Sequence, residues 1–116
     1  MSYIYSTLAE VGFITDSTSI QTVFTNPAAQ YTYIQSIHLH NTDSDLSIDV
    51  EVWKVPSGSS AQNSTRIDYI SVPANSTERV YFLKGGLLLA TPSDKIMMRA
   101  SIKNKVTVQI YGQKSS

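Results

Sequence analysis

The chain has 116 residues, 41% of them hydrophobic and 16% charged, with nine basic residues balancing nine acidic ones. That length suits a single domain, residues 1–116, with one core, and the zero net charge builds no positive field for nucleic acid or an anionic membrane. There is no cysteine for a disulfide frame or thiolate chemistry, no apolar run approaching the ~20 residues of a membrane-spanning helix, and no basic start followed by a long apolar run at Met1–Ser6 to mark a signal peptide.

The periodicity along the chain is two, that of half-buried strands. In chain order, strands are expected near 10–15, 19–25, 31–41, 45–55, 66–72, 77–84, 94–102 and 105–113. Ser6–Glu10 makes at most one helical turn. The alternation is plainest where Leu46, Ile48, Val50 and Val52 interleave with Ser47, Asp49, Glu51 and Trp53, and where Val106, Val108 and Ile110 interleave with Thr107, Gln109 and Tyr111. Leu87–Ala90 is continuously apolar and reads as a short strand buried on both faces. Turn signals divide the runs, among them Asn26-Pro27, Thr42–Asp45, Pro56-Ser57-Gly58, Gly85-Gly86 and Pro92-Ser93-Asp94. Asn63 and Asn75 begin glycosylation sequons, but without a secretory signal they read as turn residues. About eight short strands at this spacing predict an all-β fold, an antiparallel two-sheet β-sandwich, jelly-roll-like or Ig-like. Residues 1–30, which include two of the expected strands, also read as a partly extended arm with a hinge at Asn26-Pro27.

The two histidines, His38 and His40, are two residues apart on one expected strand and so share a face. A hairpin around Thr42–Asp45 that keeps the inward faces matched sets Leu39 opposite Ile48 and Ile37 opposite Val50. It also sets His38 opposite Asp49 and His40 opposite Ser47. His38, His40 and Asp49 are therefore the candidate metal ligands, since a catalytic zinc site takes three protein ligands and an open position. The competing reading is a solvent-facing cross-strand charge pair, and it is the stronger one. A cupin-like metalloprotein matches only at the two histidines. Asp45 stands where the cupin glutamate is expected, and the flanking glycines and the second-motif histidine are missing. No cofactor and no catalytic residue is expected. No Gly-x-Ser-x-Gly elbow or dinucleotide or phosphate-loop motif occurs.

The aromatics carry more information. Seven tyrosines and one tryptophan occupy a small chain. Strict alternation places Ile34, Trp53, Tyr81, Met97 and Tyr111 outward on their strands, with Ile34 opposite Trp53 in the hairpin register. Outward aromatics and methionines suit a protein interface; cover by a loop or the N-terminal segment of the same chain explains them equally. Their ring-plus-polar chemistry also suits a sugar-binding face.

Several segments in order resemble small β-sandwich virion proteins of tailed bacteriophages: Asn41-Thr42, then Val50–Gly58, Ile70–Thr77, Leu88–Ile96, Ala100-Ser101 and Val106–Gly112. The resemblance spans about residues 31–113. It lies in the order of the pieces (hairpin, proline-flanked loop, Asp-started strand, closing glycine) rather than in a signature motif. It implies a non-enzymatic structural protein of the virion, made in the host cytoplasm. Capsid decoration or cement is favoured over a neck or tail component. The partners implied are the chain itself, as a homo-oligomer with a trimer favoured, and other virion proteins such as the major capsid protein. A carbohydrate-binding, receptor-binding module is the runner-up.

Overall fold

In the computed structural model, residues 3–15, 17–27, 30–82 and 86–115 are described. They form nine strands: β1 (Tyr3–Val11), β2 (Gln21–Thr25), β3 (Thr32–Asn41), β4 (Ile48–Val55), β5 (Arg66–Val72), β6 (Thr77–Tyr81), β7 (Leu87–Leu89), β8 (Lys95–Ala100) and β9 (Val106–Ser115). One sheet runs β1-β9-β3-β6, with β7 also paired to β3, and the other runs β2-β8-β4-β5. All pairs are antiparallel. β6 and β7 lie along successive stretches of the same edge of β3, Ser36–His40 and Thr32–Ile34, so they act as one interrupted edge strand. Counted that way, the two sheets have the strand order of a jelly roll, with successive strands mostly crossing from one sheet to the other.

The inward sets of the two sheets meet in one core. Ile34, Ile37, Leu39, Ile48, Val50, Leu89, Ile96, Met98 and Ile110 are all fully buried there. Each aliphatic side chain so buried stabilises the fold by about 1.5–3 kcal/mol before chain entropy is set against it.

The expected β3–β4 hairpin does not form. The two strands lie in different sheets, and Ile37 and Leu39 meet Ile48 and Val50 across the core rather than along a ladder. A polar corner anchored on the buried Asn41 drives the chain across. Asn41 donates from Nδ2 to the carbonyls of Leu46 (2.8 Å) and Val72 (3.0 Å), and its Oδ1 accepts from the Asp43 amide. The Asp43 carboxylate in turn accepts from the amides of Asp45 and Leu46. Leu46, expected inward, is 53% exposed on this corner, and β4 begins only at Ile48.

The N-terminal region also differs from expectation. Residues 3–11 are a strand, where the sequence offers at most one helical turn at Ser6–Glu10, and they pair with β9. A bulge between Thr7 and Ala9 turns both Leu8 and Ala9 toward the core, which breaks the two-residue alternation a strand would otherwise show. Instead of a strand over 10–15, the chain leaves β1 at Val11 and buries Ile14, whose amide donates to the Val106 carbonyl. Asn26, read as a hinge, is buried and donates to the Gln30 and Thr91 carbonyls. Leu87–Leu89 is an edge strand, with Leu88 37% exposed, rather than one buried on both faces. Of the Gly85-Gly86 turn signal, Gly85 lies outside the described residues; Gly86 has φ +98.

Candidate functional site

The outer faces of the two sheets hold all but one of the side chains singled out by the sequence. On the β2-β8-β4-β5 face, β4 carries Asp49, Glu51 and Trp53 in alternation. Glu51 lies between Arg99 of β8 and Tyr69 of β5, and Trp53 lies between Met97 and Arg66. The charges neutralise one another. Glu51 Oε1 accepts from Arg99 Nε (3.0 Å) and Nη2 (2.8 Å), and its Oε2 accepts from Arg66 Nη1 (3.0 Å). The Tyr69 hydroxyl donates to Asp49 Oδ2, a bond that raises the phenol's pKa because the anion would face a carboxylate.

Trp53 does point away from the core, yet it is only 3% exposed. Its indole N–H donates to the Gln62 carbonyl in the β4–β5 loop, and the Arg99 guanidinium lies 5.5 Å from its ring centre. Trp53 is thus covered by its own chain, and Met97 beside it is half-buried. Ile34, the other half of the expected outward pair, lies in the core. An extra residue, Gln35, interrupts the β3–β9 register between Ile34 and Ser36 and reverses the parity. Gly112 makes this bulge possible, because a Cβ there would collide with the Tyr33 carbonyl oxygen.

On the β1-β9-β3-β6 face, three of the rows that run across the strands carry the side chains of interest. The first is Tyr81, Ser36, Tyr111 and Thr7; the second is Arg79, His38, Gln109 and Glu10; the third is Thr77, His40 and Thr107. Directly opposite residues share a face, so all of these point outward. His38 leans over Ser36, with Nε2 3.3 Å from the serine Oγ. Its ring lies 4.7 Å from that of Tyr111 and meets Tyr81 edge-on at 6.5 Å. The Tyr111 hydroxyl donates to Gln109 Oε1, and His40 Nδ1 lies 2.9 Å from the Thr77 hydroxyl oxygen. A shallow depression of about 340 Å³ opens among His38, His40, Thr77, Arg79, Thr107 and Gln109. Tyr81 is 65% exposed.

The candidate metal ligands are not brought together. His38 and His40 lie on this face and Asp49 on the other, with the core between them. Among the described residues, no three His, Cys, Asp or Glu side chains cluster. Burial, and then the nearby positive charge of Arg79, hold the His38 imidazole below its ordinary pKa.

Arg79 and Glu10 were not singled out from the sequence. The parity Thr77, Arg79, Tyr81 makes Arg79 legible beside Tyr81; Glu10 is hidden because the bulge conceals β1.

No family model matches the chain, and its sequence matches no curated protein. Its fold is similar to that of a solved chain from Bacillus endospore appendages, described as forming disulfide-linked pili. That match has a TM-score of 0.56 at 7% identity and covers 99% of this chain and 88% of that one. It is equally similar to a chain of the extra small virus of the prawn Macrobrachium rosenbergii, solved as a virus-like particle, with TM-score 0.56, 7% identity and coverage of 98% and 79%. A cyanophage Pam1 capsid chain aligns at TM-score 0.41 and 18% identity over 97% of this chain and 82% of that one, a likeness too low to carry an argument. At these identities the shared property is the fold: an all-β, two-sheet antiparallel sandwich.

Proposed function

We propose that the protein is a non-enzymatic structural subunit of a virus particle, where it contacts copies of itself and other virion proteins. Within that class the reading is a tailed-phage capsid decoration or cement protein, made in the host cytoplasm and bound to the major capsid protein. A neck or tail component is the next alternative. The observation that carries the reading is the aromatic face of β1-β9-β3-β6. There Tyr81, His38 and Tyr111 form a ring cluster that the chain leaves accessible, whereas it covers Trp53 on the other face. Rigid aromatic groups on a sheet face suit protein contact, and repetition on a lattice lets each contact be modest. The sandwich fold, similar to that of a pilus protein and of a virus-like particle protein, is compatible with assembly. This sequence has no cysteine, so disulfide linkage of the kind described for the pilus protein is not available to it.

The test is incubation of the purified protein with isolated capsids and with tails, followed by sedimentation and electron microscopy. Regular density on capsids supports decoration, density on tails alone moves the protein there, and no association with either removes the structural reading. A sugar-binding reading has its own motivating feature. The depression beside Tyr111 is lined by hydroxyl, amide, imidazole and guanidinium groups. Saturable glycan binding lost in Arg79→Ala would favour it.

A further inference from the structure

The rows of the β1-β9-β3-β6 face have an order that matters when two copies meet. Across the sheet the second row reads Arg79, His38, Gln109, Glu10: a cation at one edge, an anion at the other, and neutral groups between. Both charged side chains are exposed, and among the described residues neither has an ion-pair partner. They stand three strand spacings apart, about 14 Å, so they do not pair within one chain. The first row alternates large and small: Tyr81, Ser36, Tyr111, Thr7.

We infer that this face packs against the same face of a second copy, about a two-fold axis lying in the interface, parallel to the strands and between β9 and β3. The inference rests on the structural-subunit reading and names the partner of its aromatic face. The axis reverses strand order while keeping each row level. Arg79 of each copy then faces Glu10 of the other, forming two ion pairs at the rim. Each tyrosine of the first row faces a Ser or Thr position of the other copy, and the His38 ring leaning over Ser36 gives the incoming Tyr111 a surface to stack on. His38 and Tyr111 lie on the two strands that flank the axis, while Tyr81 and the charged residues lie on the edge strands, so two of the three rings are central and the charges peripheral. The strands remain aligned, a geometry that face-to-face sheets adopt. The other in-plane two-fold, across the strands, lays each strand over its own copy and sets Arg79 against Arg79. Charge therefore selects the first axis.

The experiment is sedimentation equilibrium on the full chain, its Glu10→Arg and Arg79→Glu variants, and the double variant carrying both. The wild type is expected to be a reversible dimer. Each single reversal sets like charges face to face twice and should raise the dimer dissociation constant by at least about tenfold. The double variant restores both pairs with inverted sign and should return to within about threefold of wild type, which also shows that the substitutions leave the fold intact. Singles that dimerise like wild type, a double that stays dissociated, a closed trimer, or a monomer at every concentration would each overturn the inference. The capsid assay separates it from the broader reading. A wild-type monomer that decorates capsids sinks the dimer and keeps the structural role. A charge-rescued dimer that ignores particles does the reverse.

Discussion

The two outer faces of the sandwich carry similar side chains and differ in what those side chains meet. One has Trp53, Tyr69, Glu51, Arg66 and Arg99; the other has Tyr81, Tyr111, His38, Glu10 and Arg79. On the first, Glu51 bonds both guanidiniums and the β4–β5 loop gives the indole a carbonyl, so the chain satisfies its own surface. On the second, opposite charges sit at opposite edges and the rings cluster beneath open solvent. An outward aromatic in a strand pattern is therefore not by itself evidence of an interface. The distinction lies in whether a neighbouring loop returns to cover it.

Four measurements would sharpen or break this contrast. Trp53→Ala should lower stability by about 3–5 kcal/mol in urea unfolding, because a buried ring leaves a cavity. A loss below about 1 kcal/mol would mean that the loop does not hold the indole, and the faces would no longer differ in the way described. Glu51→Gln should cost about 1 kcal/mol, since the two ion pairs are partly exposed and salt-screened. Its self-association should match wild type, and a weakened oligomer would place the assembly contact on the wrong sheet. Tyr81→Ala should change stability by less than about 0.5 kcal/mol, as expected for an exposed edge position, yet weaken self-association measurably by sedimentation.

The smallest effect is on pH dependence. Because folding lowers the His38 pKa from 6.5, the unfolded chain takes up the proton first as pH falls. The imidazole makes no difference well above that value. Stability declines as pH drops through 6.5 and levels off once the folded imidazole is also protonated. Thermal melts of wild type and His38→Gln across this range should show the variant with a shallower acid slope. Equal slopes would remove His38 as a titrating member of the open face.

Much of the sandwich was legible residue by residue. Ile37, Leu39, Ile48, Val50 and Ile110 were readable as inward because alternation requires only that a strand have one buried face. Trp53, Tyr81 and Tyr111 were readable as pointing away from the core. Ile34 was misread because one bulge residue reverses every assignment beyond it, and β1 was missed because its own bulge places Leu8 and Ala9 on the same side. Bulges carry no strong local signal here. Gly112 is the nearest to one, and its meaning depends on Tyr33, which is remote in sequence.

By itself, then, the sequence determined the class of fold, most strand positions and which side chains of a regular strand share a face, since these follow from the two-residue geometry of extended backbone. Tertiary structure alone decided which strands are neighbours. Asn41 turned an apparent hairpin into a crossing between sheets, separating Asp49 from His38 and His40 and bringing Arg79, Gln109 and Glu10 into the histidine's row. Partner choice among strands depends on long-range closure and on the burial of both sheet faces at once, and a site built across four strands inherits that dependence.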